Sequence, residues 1–438
     1  MIFTCEKQEI LEGISIVQKA ITGKSTMPIL EGVYIKTNEL DSSLTLIGSD
    51  MDVSIQTTVN ANIIEPGSIV IDAKIFGEII RKLPNSTIKI ETIENQVIRI
   101  TCEKSVFDVV YMNTNEFPEL PEINEDLKIS VNQNILKNMI KGTSFAIAQD
   151  ETRPILQGIL FEVKNKNLNL VALDGYRLAI KSEFLDSDIE IEVVIPGKTL
   201  NEVSKILEDV EDIVDITFTN NHILFNLEKT KIISRLLEGK FINYNSLLPQ
   251  EHKLSVHVNR QELQNSIERA SLMAKDGNTN LIKLDIQQDN LIISSNSQLG
   301  KVREEISMKL QGDEIQIAFN SRYLLDVLKN MEEQLSGSCT IEIAAFNEFA
   351  GMITNSDVED KYDYIIFDTA PTGHTLRMLQ LPSAWSSFIT ESKHGASCLG
   401  QLAGLESKKS MYKQAVETLA NKDKTTLILV SRPEYTPL

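Results

Sequence analysis

The sequence predicts an α+β chain: repeated domains of antiparallel sheet with helices on one face, followed by an incomplete α/β piece. Three observations carry that reading. One order of short strand, amphipathic helix and alternating strands is written three times, its landmarks return at fixed intervals, and the register breaks near Glu333 into a helix, strand, helix pattern.

The first repeat opens on MIFTCEKQEILEGI, the second on KISVNQNILKNMI from Lys128, and the third on LSVHVNRQELQNSI from Leu254. Each reads as a strand, a polar cap and a helix, and in the first Ile10, Ile14, Val17 and Ile21 recur at helical spacing. A strand is expected next, in PILEGVYI from Pro28, PILQGILFEV from Pro154 and NLIKLDI from Asn280, starts separated by 126 residues each time. Alternating runs follow in LTLIGSD, LNLVALDG and LIISSNS. A second helix then aligns without a gap in IDAKIFGEIIRKL, IPGKTLNEVSKIL and FNSRYLLDVLKNM. It places Lys74, Lys198 and Arg322 at intervals of 124, and Arg81, Lys205 and Lys329 likewise, with Glu78, Glu202 and Asp326 between them. The first two repeats close with three strand-like runs and a proline-bearing link, around Pro118 and Pro121 and at Pro249. The domains so read are 1–122, 123–250, a truncated 251–333, and a separate piece over 334–438.

Composition bounds the function. A formal charge of −19 over 438 residues argues against a general polyanion binder, so any nucleic-acid surface has to gather its cations in one place. The four cysteines (Cys5, Cys102, Cys339, Cys398) are too few and too scattered for a disulfide framework, and no apolar run reaches membrane-spanning length. A cytoplasmic protein is expected.

Residues seven apart on a helix share nearly one face, so Lys74 with Arg81, Lys198 with Lys205, and Arg322 with Lys329 each form a basic stripe. A single such stripe is most simply a solvated face whose ion pairs contribute about 0–1 kcal/mol. Three equivalent stripes on three equivalent domains suit a concave surface that meets phosphates without reading bases. No helix-turn-helix, zinc-finger spacing or aromatic stacking platform is present.

The opening MIFTCEKQEIL, the PILEG and PILQG stretches, ALDGYRLAI from Ala172, KFINYNSLLP from Lys240 and FNSRYLLDVL from Phe319 are similar, in order and spacing, to the bacterial DNA polymerase III beta subunit, the sliding clamp, over residues 1 to about 333. The resemblance implies a non-enzymatic processivity factor: two three-domain subunits joined as a ring around duplex DNA without sequence specificity, with DNA polymerase and clamp loader subunits docking a short peptide. It implies DNA contacts at Lys24, Lys74, Arg153 and Lys198, in addition to the stripe residues Arg81, Lys205, Arg322 and Lys329. It implies a partner-peptide pocket of Leu156, Asp174, Gly175, Tyr176, Arg177, Leu178 and Leu247, and subunit contacts through Lys74 and Phe107 on one side and Leu272 and Met273 on the other. Many relatives carry an arginine where this chain has Ala73. From burial habit alone, Tyr176 and Leu178 suit core packing as well as partner contact.

Beyond Glu333 the stretches LSGSCTIEIAAF, DTAPTGHTLRMLQLPSAW, HGASCLGQLAGLE and TTLILVSRPE resemble the arsenical pump-driving ATPases. That resemblance implies a metalloid site at Cys339 and Cys398, with His374 nearby and Asp368 as a nucleotide-sensing remnant; soft thiolates suit As(III) or Sb(III). The phosphate-cradling loop has no counterpart: TGKST at Thr22 comes nearest, with Gln18 where its first glycine belongs. No working cofactor is therefore expected, any metalloid or Mg-ATP site being incomplete. The overall expectation is a sliding clamp impaired by the loss of its closing strands, with an arsenite-responsive ATPase fragment as the rival.

Overall fold

The computed structural model describes residues 1–336 apart from 22, 24, 26, 122, 124–126, 151, 250, 275–279 and 299, and beyond them residues 414, 418 and 421. The chain divides into two compact units, Met1–His252 and Lys253–Leu438.

The first unit holds two repeats. The first runs β1 (Ile2–Glu6), α1 (Lys7–Val17), β2 (Gly32–Asn38), β3 (Ser43–Ser49), β4 (Val53–Asn60), β5 (Asn62–Glu65), β6 (Ser68–Asp72), α2 (Ala73–Lys82), β7 (Thr87–Ile93), β8 (Val97–Cys102) and β9 (Ser105–Val110). The second runs β10 (Leu127–Asn132), α3 (Gln133–Ser144), β11 (Gly158–Lys164), β12 (Asn167–Leu173), β13 (Leu178–Phe184), β14 (Ile191–Pro196), α4 (Gly197–Ile206), β15 (Ile213–Phe218), β16 (His222–Asn226) and β17 (Thr230–Arg235). In the second unit β18 (Leu254–Val258), α5 (Arg260–Ala274), β19 (Leu281–Ile286), β20 (Asn290–Ser297), β21 (Gly300–Gly312), β22 (Ile315–Asn320) and α6 (Ser321–Ser336) repeat the opening of that order.

Sheet topology is where the threefold repeat becomes physical. The orders β4-β3-β2-β6, β13-β12-β11-β14 and β21-β20-β19-β22 are one arrangement built three times, with antiparallel neighbours throughout. The closing strands β7-β8-β9 pair onto β1, and β15-β16-β17 pair onto β10 in the same way. Repeats one and two fuse where β17 pairs with β4, giving a continuous eight-stranded sheet. At that seam the buried hydroxyls of Thr57 and Thr230 lie 2.8 Å apart, so the junction leaves no orphaned polar group.

The helices cover the inner faces by the expected stripes. Ile10, Ile14 and Val17 of α1 are fully buried, as are Phe76 and Ile80 of α2, in one core with Phe3, Ile88, Ile90, Ile98 and Ile100. Three sequence expectations are corrected in detail. PILEG and PILQG open as 3₁₀ turns at Pro28–Glu31 and Pro154–Gln157, and the strands begin only at Gly32 and Gly158. Proline pre-sets the turn dihedral, and at Gly32 a Cβ would stand 2.5 Å from Val70 Cγ1, so glycine lets β2 close on β6. The polar caps of α1 and α3 make no side-chain bond to their helices, since Glu6 and Asn132 are held in strands; among the second helices Asp72 does cap, its Oδ1 accepting from Ile75 N at 2.7 Å. Ile21 lies past α1, after a short 3₁₀ turn at Gln18–Ala20.

The second unit is less enclosed. Ile317 and Phe319 of β22 are 38% and 37% exposed, whereas Ile69 and Ile71, their counterparts in β6, are 1% and 0% exposed. In the first repeat β7 and β8 complete the core around β6; among the described residues of the second unit no strand takes that part.

Candidate nucleic-acid interface

The second helix of each repeat begins against its own electrostatics. Lys74 is the second residue of α2, Lys198 of α4 and Arg322 of α6, and none of these helices has an acidic residue in its first turn. A helix N-terminus carries partial positive charge, so a cation there is unfavourable by about 0.3–1 kcal/mol. Local rules broken three times at one position mark a surface kept for something other than stability. All three side chains are exposed, as are Arg81, Lys205 and Lys329 further along the same helices.

Their partners differ. Lys198 Nζ lies 2.6 Å from Asp50 Oδ2, Lys205 Nζ 2.7 Å from Glu202 Oε1, and Lys329 Nζ 3.6 Å from Glu268 Oε1. Among the described residues Lys74, Arg81, Arg153 and Arg322 have no ion pair. Arg153 is exposed beside Asp150, whose carboxyl is held below its usual range by the Thr152 hydrogen bonds and, more weakly, by Arg153. Lys24 lies outside the described residues.

Within the first unit the turn after α1 links both basic helices. Gln18 donates its amide to the Ala73 carbonyl at the start of α2, and the adjacent Lys19 reaches the Lys205 carbonyl of α4 at 3.5 Å. Stripes 124 residues apart in sequence are thereby brought to either side of one turn. Lys19, passed over in the sequence, adds an amine whose pKa is lowered by burial and by Lys205 beside it. Its signal is position alone: it directly follows the glutamine that packs on Gly77 of α2.

The partner-peptide candidates form a second site on the second repeat. Asp174 Oδ1 accepts from the backbone N–H groups of Tyr176 and Arg177, both at 2.9 Å, and Oδ2 receives the Arg177 guanidinium at 2.9 Å. Gly175 sits at φ +93°, a left-handed dihedral that the turn requires and glycine adopts without strain. The turn throws Tyr176 outward, 83% exposed, so core packing is ruled out for it. Arg177 reaches inward, lying 5.5 Å over the Phe145 ring. Leu156 is buried and Leu178 half-buried in a cluster with Val171, Leu173, Phe241 and Tyr244, separate from the main core. Tyr244 Oη donates to Glu162 Oε2 at 2.7 Å; burial, with Glu162 beside it, pushes that phenol up to about 12. So anchored, the turn Tyr244–Leu247 holds Leu247 half exposed.

The subunit-contact candidates are also surface residues. Phe107 lies on β9, the edge of its sheet, with Val106 and Val110 exposed beside it. Leu272 of α5 is exposed and Met273 is half-buried. Cys339, Cys398, His374 and Asp368 lie outside the described residues. Among the described residues no cluster of His, Cys, Asp or Glu could hold a metal, and no helix is long and apolar enough to cross a membrane.

Residues 1–121 match the DNA polymerase III beta subunit N-terminal domain, 130–243 its central domain and 245–368 its C-terminal domain. The Beta sliding clamp of Bacillus subtilis (strain 168) is 39% identical over 345 residues, 76% of this chain and 91% of the relative. The chain belongs to the DNA polymerase III beta subunit family. The Beta sliding clamp of Staphylococcus epidermidis is 33% identical over 377 residues, 84% of this chain and 98% of its own length. Two solved clamps agree in fold. The DNA polymerase sliding clamp of Bacillus subtilis has TM-score 0.72 at 38% identity, and the beta subunit from Pseudomonas aeruginosa has TM-score 0.71 at 30%; each comparison covers 75% of this chain and 90% of the other. As a sliding clamp the chain is a processivity factor of DNA replication, not a catalyst. The family match also runs to residue 368, past the register break read near Glu333.

Proposed function

We propose that this clamp closes as a homodimeric ring and meets duplex DNA through the basic starts of its repeated second helices, without reading sequence. Lys74, Arg81, Arg153 and Arg322 supply cations with no ion pair among the described residues, and Lys198, Lys205 and Lys329 supply cations shared with acids. DNA polymerase and clamp loader subunits dock on the Asp174–Leu178 turn, where Tyr176 stands out over the apolar cluster, and the assembly works in the cytoplasm. The observation that carries the DNA contact is the cation at the second residue of all three helices, opposed by the helix dipole each time.

After loading by a bacterial clamp loader, the protein is expected to stay on nicked circular plasmid at least about tenfold longer than on its linear form, because an encircling ring leaves only by a free end. Equal retention on both sinks the ring. The paired substitution Lys74→Ala with Arg81→Ala should lower the slope of log affinity against log salt for a short duplex by about 2, since each phosphate contact contributes about 0.9.

For residues 334–438 we infer, from the quoted stretches alone, a piece related to the arsenical pump-driving ATPases, joined to a third clamp domain that ends near 333. The family match to 368 favours a longer third domain instead. Calorimetry with arsenite tests the metalloid ligands: binding that disappears in Cys339→Ala and in Cys398→Ala would show a surviving site in this piece.

A further inference from the structure

We propose that Asp50 is a positioning residue that holds Lys198 back from DNA, moderating the clamp's grip. This rests on the reading of Lys198 as a phosphate contact. Asp50 directly follows β3 of the first repeat and Lys198 is the second residue of α4 in the second, 148 residues later. The pair therefore spans the seam where β17 joins β4.

Asp50 is built for the task. Its Oδ1 accepts from Asp52 N at 3.1 Å and Val53 N at 2.8 Å, and its own N–H donates to the Val53 carbonyl at 3.1 Å. Those bonds fix the carboxylate and leave Oδ2 aimed at Lys198 Nζ, 2.6 Å away. The two ends of the pair are unequal: the Asp50 side chain is 9% exposed and that of Lys198 59%. The acid is rigid and recessed while the amine is long and open to solvent. Because the ammonium end of the pair is open to solvent, a passing phosphate can reach it and compete with Asp50 for it. Among the described residues Lys74, in the corresponding place of the first repeat, has no such acid. The same stripe is thus used in two strengths, one cation bare and one countered. A clamp that must slide gains by such weakening, because each full phosphate contact adds to the drag of every step.

The test measures the affinity of the full chain for a short duplex by fluorescence anisotropy across a series of salt concentrations. Asp50→Asn retains the Oδ1 acceptor and so the turn, but removes the countercharge. The salt slope is expected to steepen by about 0.9. Adding Lys198→Ala to Asp50→Asn should take that gain away, and Asp50→Glu should keep the starting slope. A purely structural tie would lower the melting temperature of Asp50→Asn and leave the slope alone, which overturns the proposal. If the Lys74→Ala, Arg81→Ala variant lowers the slope while Asp50→Asn does not raise it, the DNA reading stands and this proposal falls. If neither moves, the phosphate-contact reading fails and carries this one with it.

Discussion

Phe76→Ala is expected to destabilise the first unit by about 3–5 kcal/mol. Phe76 is fully buried on α2, among the largest enclosed side chains, in the core that also holds Ile80, Ile88 and Ile90. Its removal opens a cavity that neighbouring strands, tied by their ladders, cannot collapse into. Domains are stable by only about 5–15 kcal/mol, so urea denaturation should show a large fall in midpoint. The neighbouring Ile75 is half exposed, and Ile75→Ala should stay within about 0.5 kcal/mol. The consequence for function is direct. Lys74 and Arg81 ride the outer face of the helix that Phe76 and Ile80 seat, so a loosened α2 should also weaken duplex binding. Unchanged stability in Phe76→Ala would mean that the helix is held by something other than its buried stripe.

Most of the architecture is legible in the sequence because hydrophobic periodicity is local. Ile10, Ile14 and Val17 specify a helix face, alternation in LTLIGSD specifies a half-buried strand, and a constant interval specifies the repeat. The Asp50–Lys198 pair was not legible. Nothing in a linear pattern says that the β3–β4 turn of one repeat meets the first turn of α4 in the next; that follows from the pairing of β17 with β4, a long-range register. Tyr176 was ambiguous for the opposite reason. An aromatic next to buried leucines has the composition of a core residue, and only the left-handed turn at Gly175 shows it pointing out. The 3₁₀ turns at Pro28 and Pro154 are hidden in the sequence by the apolar residues on both sides, although each proline marks its start.

Phe107→Asp is expected to open the ring. Phe107 lies on β9, whose inner neighbour is β8 and whose outer edge pairs with no described strand. The edge it presents is apolar on both faces, Phe107 on one and Val106 with Val110 on the other: the three are 40%, 55% and 68% exposed. An open edge with apolar side chains invites another chain unless it is charged or covered. The charge β9 does carry is already spent, since Asp108 is held by Arg99 of β8 through two bonds of 2.8 Å. That fork pins β9 flat against its sheet and presents its outer edge as a ready template, the geometry of strand addition. A carboxylate at 107 would have to be desolvated where an apolar ring packs, at a cost of several kcal/mol. Sedimentation should then find monomer where the unsubstituted chain is dimeric, and retention on nicked circular plasmid should fall at least about tenfold, to the level of the linear form. Affinity for a short duplex should fall less than retention on the circle, because a separated subunit keeps its own cations while the topology is lost altogether. A Phe107→Asp protein that stays dimeric and stays on the circle would show that this edge lies outside the subunit contact.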